Sequence, residues 1–382
     1  MLIRSIVGAL VVCLGTPALS LAQQTTPAAT AVEPTTKEDM KLSSEKDVGY
    51  GAETSFLTWH GYLNLEFFKQ QRLPSTFDLH EFYLSTKAQI SPKVSVTAEF
   101  EYEHAPEKLV LPMQAYVDYK TNDAFIVRAG IFFVPLGVPR TYTLRGNKNR
   151  MIRQNALTHD LMFENWAEVG INVFGQLKKG FFYDVALTNG MPNTMATGDS
   201  WFDAVNTLQD HTEDNNENKA VFGRFGHNAK LAAGDLNVAF SAATEKYDPA
   251  GDKSMTHAGV DARYLHPNGL RFQGEFMIRR GDDNAANLAN GIAADANGWY
   301  AQVSKRTLFN NRKSYFEPVF QIDGIDLNEH ADTNGDRITS AVGLVLSPVD
   351  HYLVKFEFDV VKERHGASIR NNKLWLALVA EF

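Results

Sequence analysis

From Phe56 onward the chain is written in segments of about ten residues with one apolar and one polar face, the period of a β-strand. No stretch there approaches the roughly 20 apolar residues of a spanning helix. The pattern is clearest at 94–102. Val94, Val96, Ala98, Phe100 and Tyr102 fall on one side; Ser95, Thr97, Glu99 and Glu101 fall on the other. Leu270, Phe272, Phe276 and Ile278 likewise oppose Arg271, Gln273, Glu275 and Arg279, and Tyr352 to Val360 repeats the scheme. Sixteen such segments follow one another, from 57–68 and 79–90 through 297–306 to 372–382.

The connections alternate as well. Each even-numbered segment ends in a tight turn, such as Ser91-Pro92-Lys93, Thr121-Asn122-Asp123 or His266-Pro267-Asn268-Gly269. The stretch from Leu308 to Lys313 reads as another. Each odd-numbered segment ends in a longer loop rich in Gly, Asn and Asp. Short and long connections alternating through an even number of strands are the layout of an outer-membrane barrel. A water-soluble sandwich also alternates, but its strands run nearer five or six residues, whereas about ten suit a tilted bilayer crossing. Hydrocarbon cannot satisfy an open sheet edge, so the sheet has to close. The expected fold is all-β: a 16-stranded antiparallel transmembrane β-barrel over 56–382, with short periplasmic turns and long external loops. Barrels of 16–18 strands leave an aqueous channel.

The N-terminus reads as an address. Arg4 supplies a positive start, Ser5 to Leu14 are apolar or small, and Ser20 and Ala22 form a small-residue cleavage site. Residues 1–22 are therefore expected to be a signal peptide and 23–55 a flexible, charged leader, which exports the protein to the cell outer membrane. The only cysteine, Cys13, lies in the signal, so no Cys-ligated metal site or disulfide is available. At the other end Leu374, Leu376, Leu378, Ala380 and Phe382 alternate up to a final phenylalanine. A last strand of this kind resembles the signal that outer-membrane barrels present to their assembly machinery, which makes Phe382 its candidate residue.

The third long loop, Val134 to Asn165, stands out. From Val134 to His159 it carries Arg140, Arg145, Lys148, Arg150 and Arg153 and no acidic residue, in a chain of formal net charge −8. Five cations without a counter-charge make a local positive field. The loop follows Phe132-Phe133-Val134-Pro135-Leu136-Gly137. With the sixteen-strand layout and the terminal Phe382, this segment resembles the phosphate-selective porins of the O and P type over roughly 56–382. The resemblance implies a homotrimer whose constriction is lined by arginines and lysines. On that basis the five loop cations are the candidate pore constriction, folded inward.

The polar faces place Arg128, Arg224, Arg263, Arg271, Arg279 and Lys355 in the lumen, together with Glu99, Glu101, Asp118 and Glu275. Glu66, Glu168, Asp184, Glu317, Glu357 and Asp359 face the same space. A mixed lumen suits a general diffusion channel as well as an anion filter, and no regular arginine ladder is present. Trp59, Tyr102, Tyr119, Trp166, Tyr183, Tyr264, Trp299, Tyr315 and Tyr352 sit near strand ends, where interface girdles put aromatics.

Other motifs fall short. His80-Glu81 begins like a zinc-protease helix, but Leu84 stands where the second histidine belongs. Asp332 to Asp336 resembles a calcium loop, yet Arg337 occupies the glycine position and Gly343 that of the bidentate glutamate. The acidic run Asp199, Asp203, Asp210, Glu213, Asp214 and Glu217 reads as a solvated external loop. The negative net charge argues against nucleic acid as a partner. The sequence thus reads as a porin passing small hydrophilic solutes passively and leaning to anions, phosphate among them. Its expected partners are outer-membrane lipid, small anions, two further copies of itself and the assembly machinery. No cofactor, metal or catalytic residue is expected. Two alternatives are a barrel closed by its third loop, with a structural or adhesive role, and a barrel enzyme.

Overall fold

The structure is a computed structural model that describes residues 56–103, 111–139, 150–162, 166–191, 214, 216–283, 294–309, 314–330, 336–365 and 370–382. The signal and leader, most of the acidic fourth loop, and 331–335 of the calcium-like stretch lie outside these residues. The strands form one sheet in which each pairs antiparallel with its neighbour. They run β1 (Leu57–Gln70), β2 (Ser75–Ser91), β3 (Val94–Glu103), β4 (Leu111–Asn122), β5 (Phe125–Phe133), β6 (Ala167–Gln176), β7 (Phe181–Thr188) and β8 (Ala220–Leu231). Then follow β9 (Gly234–Lys246), β10 (Ser254–Leu265), β11 (Leu270–Gly281), β12 (Ala296–Lys305), β13 (Thr307–Phe309), β14 (Ser314–Asp326), β15 (Arg337–Val349), β16 (Tyr352–Glu363) and β17 (Lys373–Glu381). β1 pairs with β17 from Tyr62↔Glu381 to Gln70↔Lys373, so the sheet closes. Sixteen strands cross the wall. β13 only prolongs β12 past Arg306 and pairs with the start of β14, where the sequence read a turn.

The faces follow the two-residue period. Val221, Phe225, Val238, Phe240, Val260, Phe272, Phe276, Phe320, Val342 and Phe358 are all exposed on the outer face. Between them Asn64, Glu66, Glu99, Arg224, Asp261, Arg279, Asp323 and Lys355 are buried inside. A belt of aliphatic and phenylalanine side chains around a closed sheet is an exterior made for lipid, and water would not tolerate it. The seam is closed by Phe382 and Gly61. Their backbones exchange hydrogen bonds of 2.8 and 2.9 Å, and the Phe382 ring lies against Gly61, where a Cβ would meet it at 2.7 Å. Phe382 also packs on Trp59, with ring centroids 5.8 Å apart.

The short turns are held by their own side chains. The Ser91 hydroxyl accepts from the amides of Lys93 and Val94, Asn122 Oδ1 from Ala124, and Asn268 Oδ1 from Leu270. These are the Asx- and Ser-turns that such residues favour. The π-helical turn Leu157–Leu161 and a 3-10 turn at Lys178–Gly180 are the helical pieces among the described residues.

Two aromatics leave the expected girdle. Trp166 is buried inside, its indole donating to Glu168 at 2.9 Å, and Tyr315 is buried beneath the Arg306 guanidinium, 4.0 Å from the ring centroid. Tyr315 falls on the inward register of β14, and Trp166, just before β6, shares the inward side of Glu168.

Candidate functional site: the third loop and the inner wall

The Pro-Leu-Gly segment turns the chain into the barrel. β5 ends at Phe133, and Phe132 and Leu136 pack in an apolar cluster inside the wall. Gly137 has φ +68°, and its amide donates to Ser241 Oγ of β9 at 2.9 Å. Val138 donates to Glu275 Oε1 of β11 at 3.3 Å. A Cβ on Gly137 would stand 1.8 Å from that same oxygen, so only glycine combines this backbone with this approach.

The second described stretch of the loop lies against β12 and β14–β16. The amides of Ile152 and Arg153 both donate to Glu357 Oε2, and Ala156 donates to Asp323 Oδ1 at 3.1 Å. The Arg153 guanidinium reaches Asp323 at 2.5 Å and Asp359 at 3.3 Å. Met151 rests on Gly343, and Leu157 on Gly298. On the helical turn, Asp160 pairs with Arg337 and with His159. Burial by itself would raise the Asp160 carboxyl, but the Arg337 guanidinium and His159 together outweigh it and hold the group at about 2, against an ordinary 3.8.

This stretch is also glued by apolar contact. Leu157, Leu161 and Met162 join Trp166, Phe222, Met255, Met277, Tyr300 and Ile325 in one buried cluster inside the barrel. Phe222, Met255 and Met277 occupy inward registers that the wall otherwise gives to polar residues. The interior is therefore not polar throughout, as the alternation alone suggested. A second cluster of Tyr62, Tyr83, Met113, Met151, Tyr315, Val319 and Val345 lies elsewhere on the inner face.

The predicted site residues fare differently. Arg140, Arg145 and Lys148 lie outside the described residues. Arg150 and Arg153 are there, but wall carboxylates meet both: Arg150 Nε is 3.4 Å from Glu317 Oε1. From Val134 to His159 the sequence holds no acidic residue. In space the wall supplies the counter-charge.

On the wall, Arg128 makes a two-pronged contact with Asp118 at 2.8 and 3.0 Å while lying 3.6 Å above the Tyr116 ring centroid. Arg224 grips Asp261 at 2.7 and 3.2 Å. Arg279 is fully buried and donates to the Ala294 carbonyl at 3.0 Å. Lys355 is buried with Glu66, Glu81, Glu357 and Glu381 near it. Glu99 accepts from Gln114 at 2.6 Å and Ser85 at 3.3 Å, Glu101 is buried beside it on β3, and Glu275 holds the third loop.

Arg263 and Arg271 line a small recess open to solvent, with Arg150, Tyr264, Leu265, Phe272, Gln273, Gln302 and Ser304. Glu317, fully buried on β14, is the hub beside it. It accepts from Ser304 at 2.6 Å and from Arg306 at 2.7 Å, and Arg271 stands 3.9 Å away. Sequence reading gave no role to Arg306, the last residue of the 297–306 segment. It also gave no role to Ser241, Asp323 or Gly137. The Pro-Leu-Gly signal was present, but its partner Glu275 lies 137 residues away.

No protein-family model matches the chain, and no curated protein matches it. Solved structures do. OmpT, an outer membrane protein of Vibrio cholerae, in its in-vitro folded trimer form, superposes with a TM-score of 0.57 at 8% identity, covering 85% of this chain and 99% of that one. An anion-selective porin from Comamonas acidovorans gives 0.57 at 9%, covering 85% and 99%. The outer membrane channel DcaP of Acinetobacter baumannii gives 0.58 at 12%, covering 88% and 100%. At such identities the likeness is one of fold: a closed antiparallel barrel of sixteen crossings, of the kind outer membranes hold.

Proposed function

We propose that this chain is an outer-membrane porin, a water-filled channel through which small hydrophilic solutes diffuse, with a lean to anions. The observation that carries this reading is the closed sixteen-crossing wall, apolar outside and largely polar inside, with the third loop held within it by Ser241, Glu275, Glu317, Asp323 and Glu357. A solute in such a lumen exchanges part of its hydration for fixed charges and leaves because that binding is weak. The anionic lean rests on the guanidiniums of the wall, with phosphate among the anions that arginine coordinates in two-pronged fashion. The reading includes export by residues 1–22, assembly through Phe382 and a homotrimer; the in-vitro folded Vibrio OmpT is in a trimer form. It assigns no catalytic residue.

The test is the reversal potential of purified, folded protein in a planar bilayer under a potassium chloride gradient. Discrete steps reversing on the chloride side are expected. Steps reversing on the potassium side would keep the channel and remove the anionic lean. A second reading, a barrel closed by its third loop, draws support from the apolar cluster that Leu157 and Leu161 build inside the wall. No steps from protein shown to be inserted would establish it in place of the first.

A further inference from the structure

Glycine inside a strand weakens it, since it gives up the most backbone freedom and offers no side chain to pack. Gly298 of β12 and Gly343 of β15 stand within their strands on the inward register, opposite Ile325 and Val319, and neither has a positive φ. The backbone therefore does not call for glycine there, as it does at Gly137. What meets these two positions is the third loop. A Cβ on Gly298 would stand 3.1 Å from Leu157 Cδ1 and 3.4 Å from Leu157 Cβ. A Cβ on Gly343 would stand 3.0 Å from Met151 Sδ and 3.3 Å from the Phe356 carbonyl oxygen. Among the described glycines of the wall, these are the two whose nearest neighbour is a third-loop side chain. Gly223 of β8 has nothing within 4 Å of the same point.

Beside each of these hollows a carboxylate holds the loop backbone next to the same side chain. Gly343 pairs across the sheet with Glu357, whose Oε2 accepts from the amides of Ile152 and Arg153, the two residues after Met151. Asp323, on the β14 strand that pairs with β12, accepts at 3.1 Å from the amide of Ala156, the residue before Leu157. A hollow for a side chain and an acceptor for the neighbouring amide thus occur twice, once on β12–β14 and once on β15–β16. The two parts fix different coordinates. The hydrogen bond holds the loop along the wall, and the hollow sets how near the wall the loop can lie. Protein interiors are packed closely enough for a single added carbon to be felt, so a filled hollow lifts the loop.

We propose that Gly298 and Gly343 are positioning residues for the third loop: their missing side chains are seats for Leu157 and Met151, and the depth of those seats sets the width the loop leaves for solute. The inference rests on the channel reading for its consequence, since only a conducting lumen has a width that matters. The two seats differ in stiffness. Leu157 turns its own Cβ towards Gly298, and that atom cannot swing aside, whereas Met151 meets Gly343 with its flexible thioether end. Gly298 is therefore the more sensitive of the two.

The experiment uses the full chain with Cys13→Ser and a reporter, Ala156→Cys, in the buried part of the loop. A charged thiol reagent reads how often the loop leaves the wall, and single-channel recording reads the width. Valine suits a strand, so Gly298→Val and Gly343→Val load chiefly the seats. Labelling should rise about tenfold or more for Gly298→Val, the scale of an overpacked contact, and less for Gly343→Val, with an altered conductance step in both. Gly223→Val should leave both readouts at the reference values. Rescue should follow the pairs: Leu157→Ala returns Gly298→Val towards the reference and does nothing for Gly343→Val, and Met151→Ala does the reverse. A general loss of stability would not obey that matching. Heat-modifiable mobility on a gel verifies folding, and alanine replaces valine at any glycine where the variant does not fold. Labelling unchanged in folded Gly298→Val overturns the proposal, and so does rescue by the mismatched partner. Matched rescue of labelling in a barrel that never conducts keeps the seats and removes the channel reading. Steady current with labelling that no seat variant alters keeps the channel and removes the seats.

Discussion

The inner wall of β1–β3 and that of β10–β14, separated by β15–β17 on one side and β4–β9 on the other, bury carboxylates in opposite ways. On β1–β3 the partners are mostly neutral. Tyr62 donates to Glu81, Asn64 to Glu66 at 2.7 Å, Ser85 and Gln114 to Glu99. On β10–β14 the partners are guanidiniums: Arg224 on Asp261, Arg153 on Asp323, and Arg150, Arg271 and Arg306 around Glu317. Hydrogen-bond donors are what a buried carboxylate needs, and a hydroxyl or amide can supply them without cancelling the charge. The first wall thus meets its acids mainly with hydroxyls and amides, Lys355 standing near Glu66 and Glu81, whereas the second sets guanidiniums around its acids. The described parts of the third loop are tied to β9, to the second wall and to β16.

The strongest way to break this asymmetry is Arg153→Ala. It leaves Asp323 and Asp359 buried without that guanidinium and should cost about 3–5 kcal/mol, the usual penalty for half of a buried ion pair. A lower temperature of conversion of the folded gel band is expected. An unchanged conversion would show that the loop is not pinned by charge. Gly137→Val comes next. Its side chain meets Glu275 and its φ is left-handed, a strain of about 1–3 kcal/mol, so the loop should shift from the β9–β11 side and single-channel conductance should change in size. Conductance and stability equal to wild type would refute the anchoring role.

The selectivity predictions sharpen the contrast. Glu81→Gln with Glu99→Gln keeps hydrogen-bonding groups on the first wall and removes its charge. The chloride-to-potassium permeability ratio should rise by about two- to fivefold, the effect of roughly 0.4–1 kcal/mol at the ion. A ratio that stays put would mean the first wall does not face the permeating ion. The smallest expected effect is one of pH. Asp160 titrates at about 2 in the folded protein against 3.8 ordinarily, so its pairing with Arg337 stabilises the loop above the ordinary value and is lost as pH falls towards the folded one. Loop-dependent conductance should hold down to about pH 4 and change between there and about pH 2. Asp160→Asn should flatten that window; an unaltered transition would assign it to other acids.

Much of this was legible in the chain. The two-residue period picked out the crossings, the faces and most of the lumen charges, because lipid outside and water inside demand it at every step of every strand. Boundaries moved where backbone pairing outran the pattern, as at β2, which starts at Ser75 rather than 79, and at β13, where a turn was expected. The inner apolar cluster was not read because Phe222, Met255 and Met277 stand on registers that alternation assigns to a wet lumen, and only the third loop laid over them makes them a core.

Alternation and connection length, both local, were enough to determine a closed barrel and which way each side chain points. Which charges meet was decided only by tertiary structure. Arg153 finds Asp323 across 170 positions, and Ile152 finds Glu357 across 205. Neither pairing has a sequence signature, since it depends on strand register, ring closure and the inward path of one loop acting together. A cation-rich stretch read along the chain has no counter-charge; folded against this wall, it acquires one.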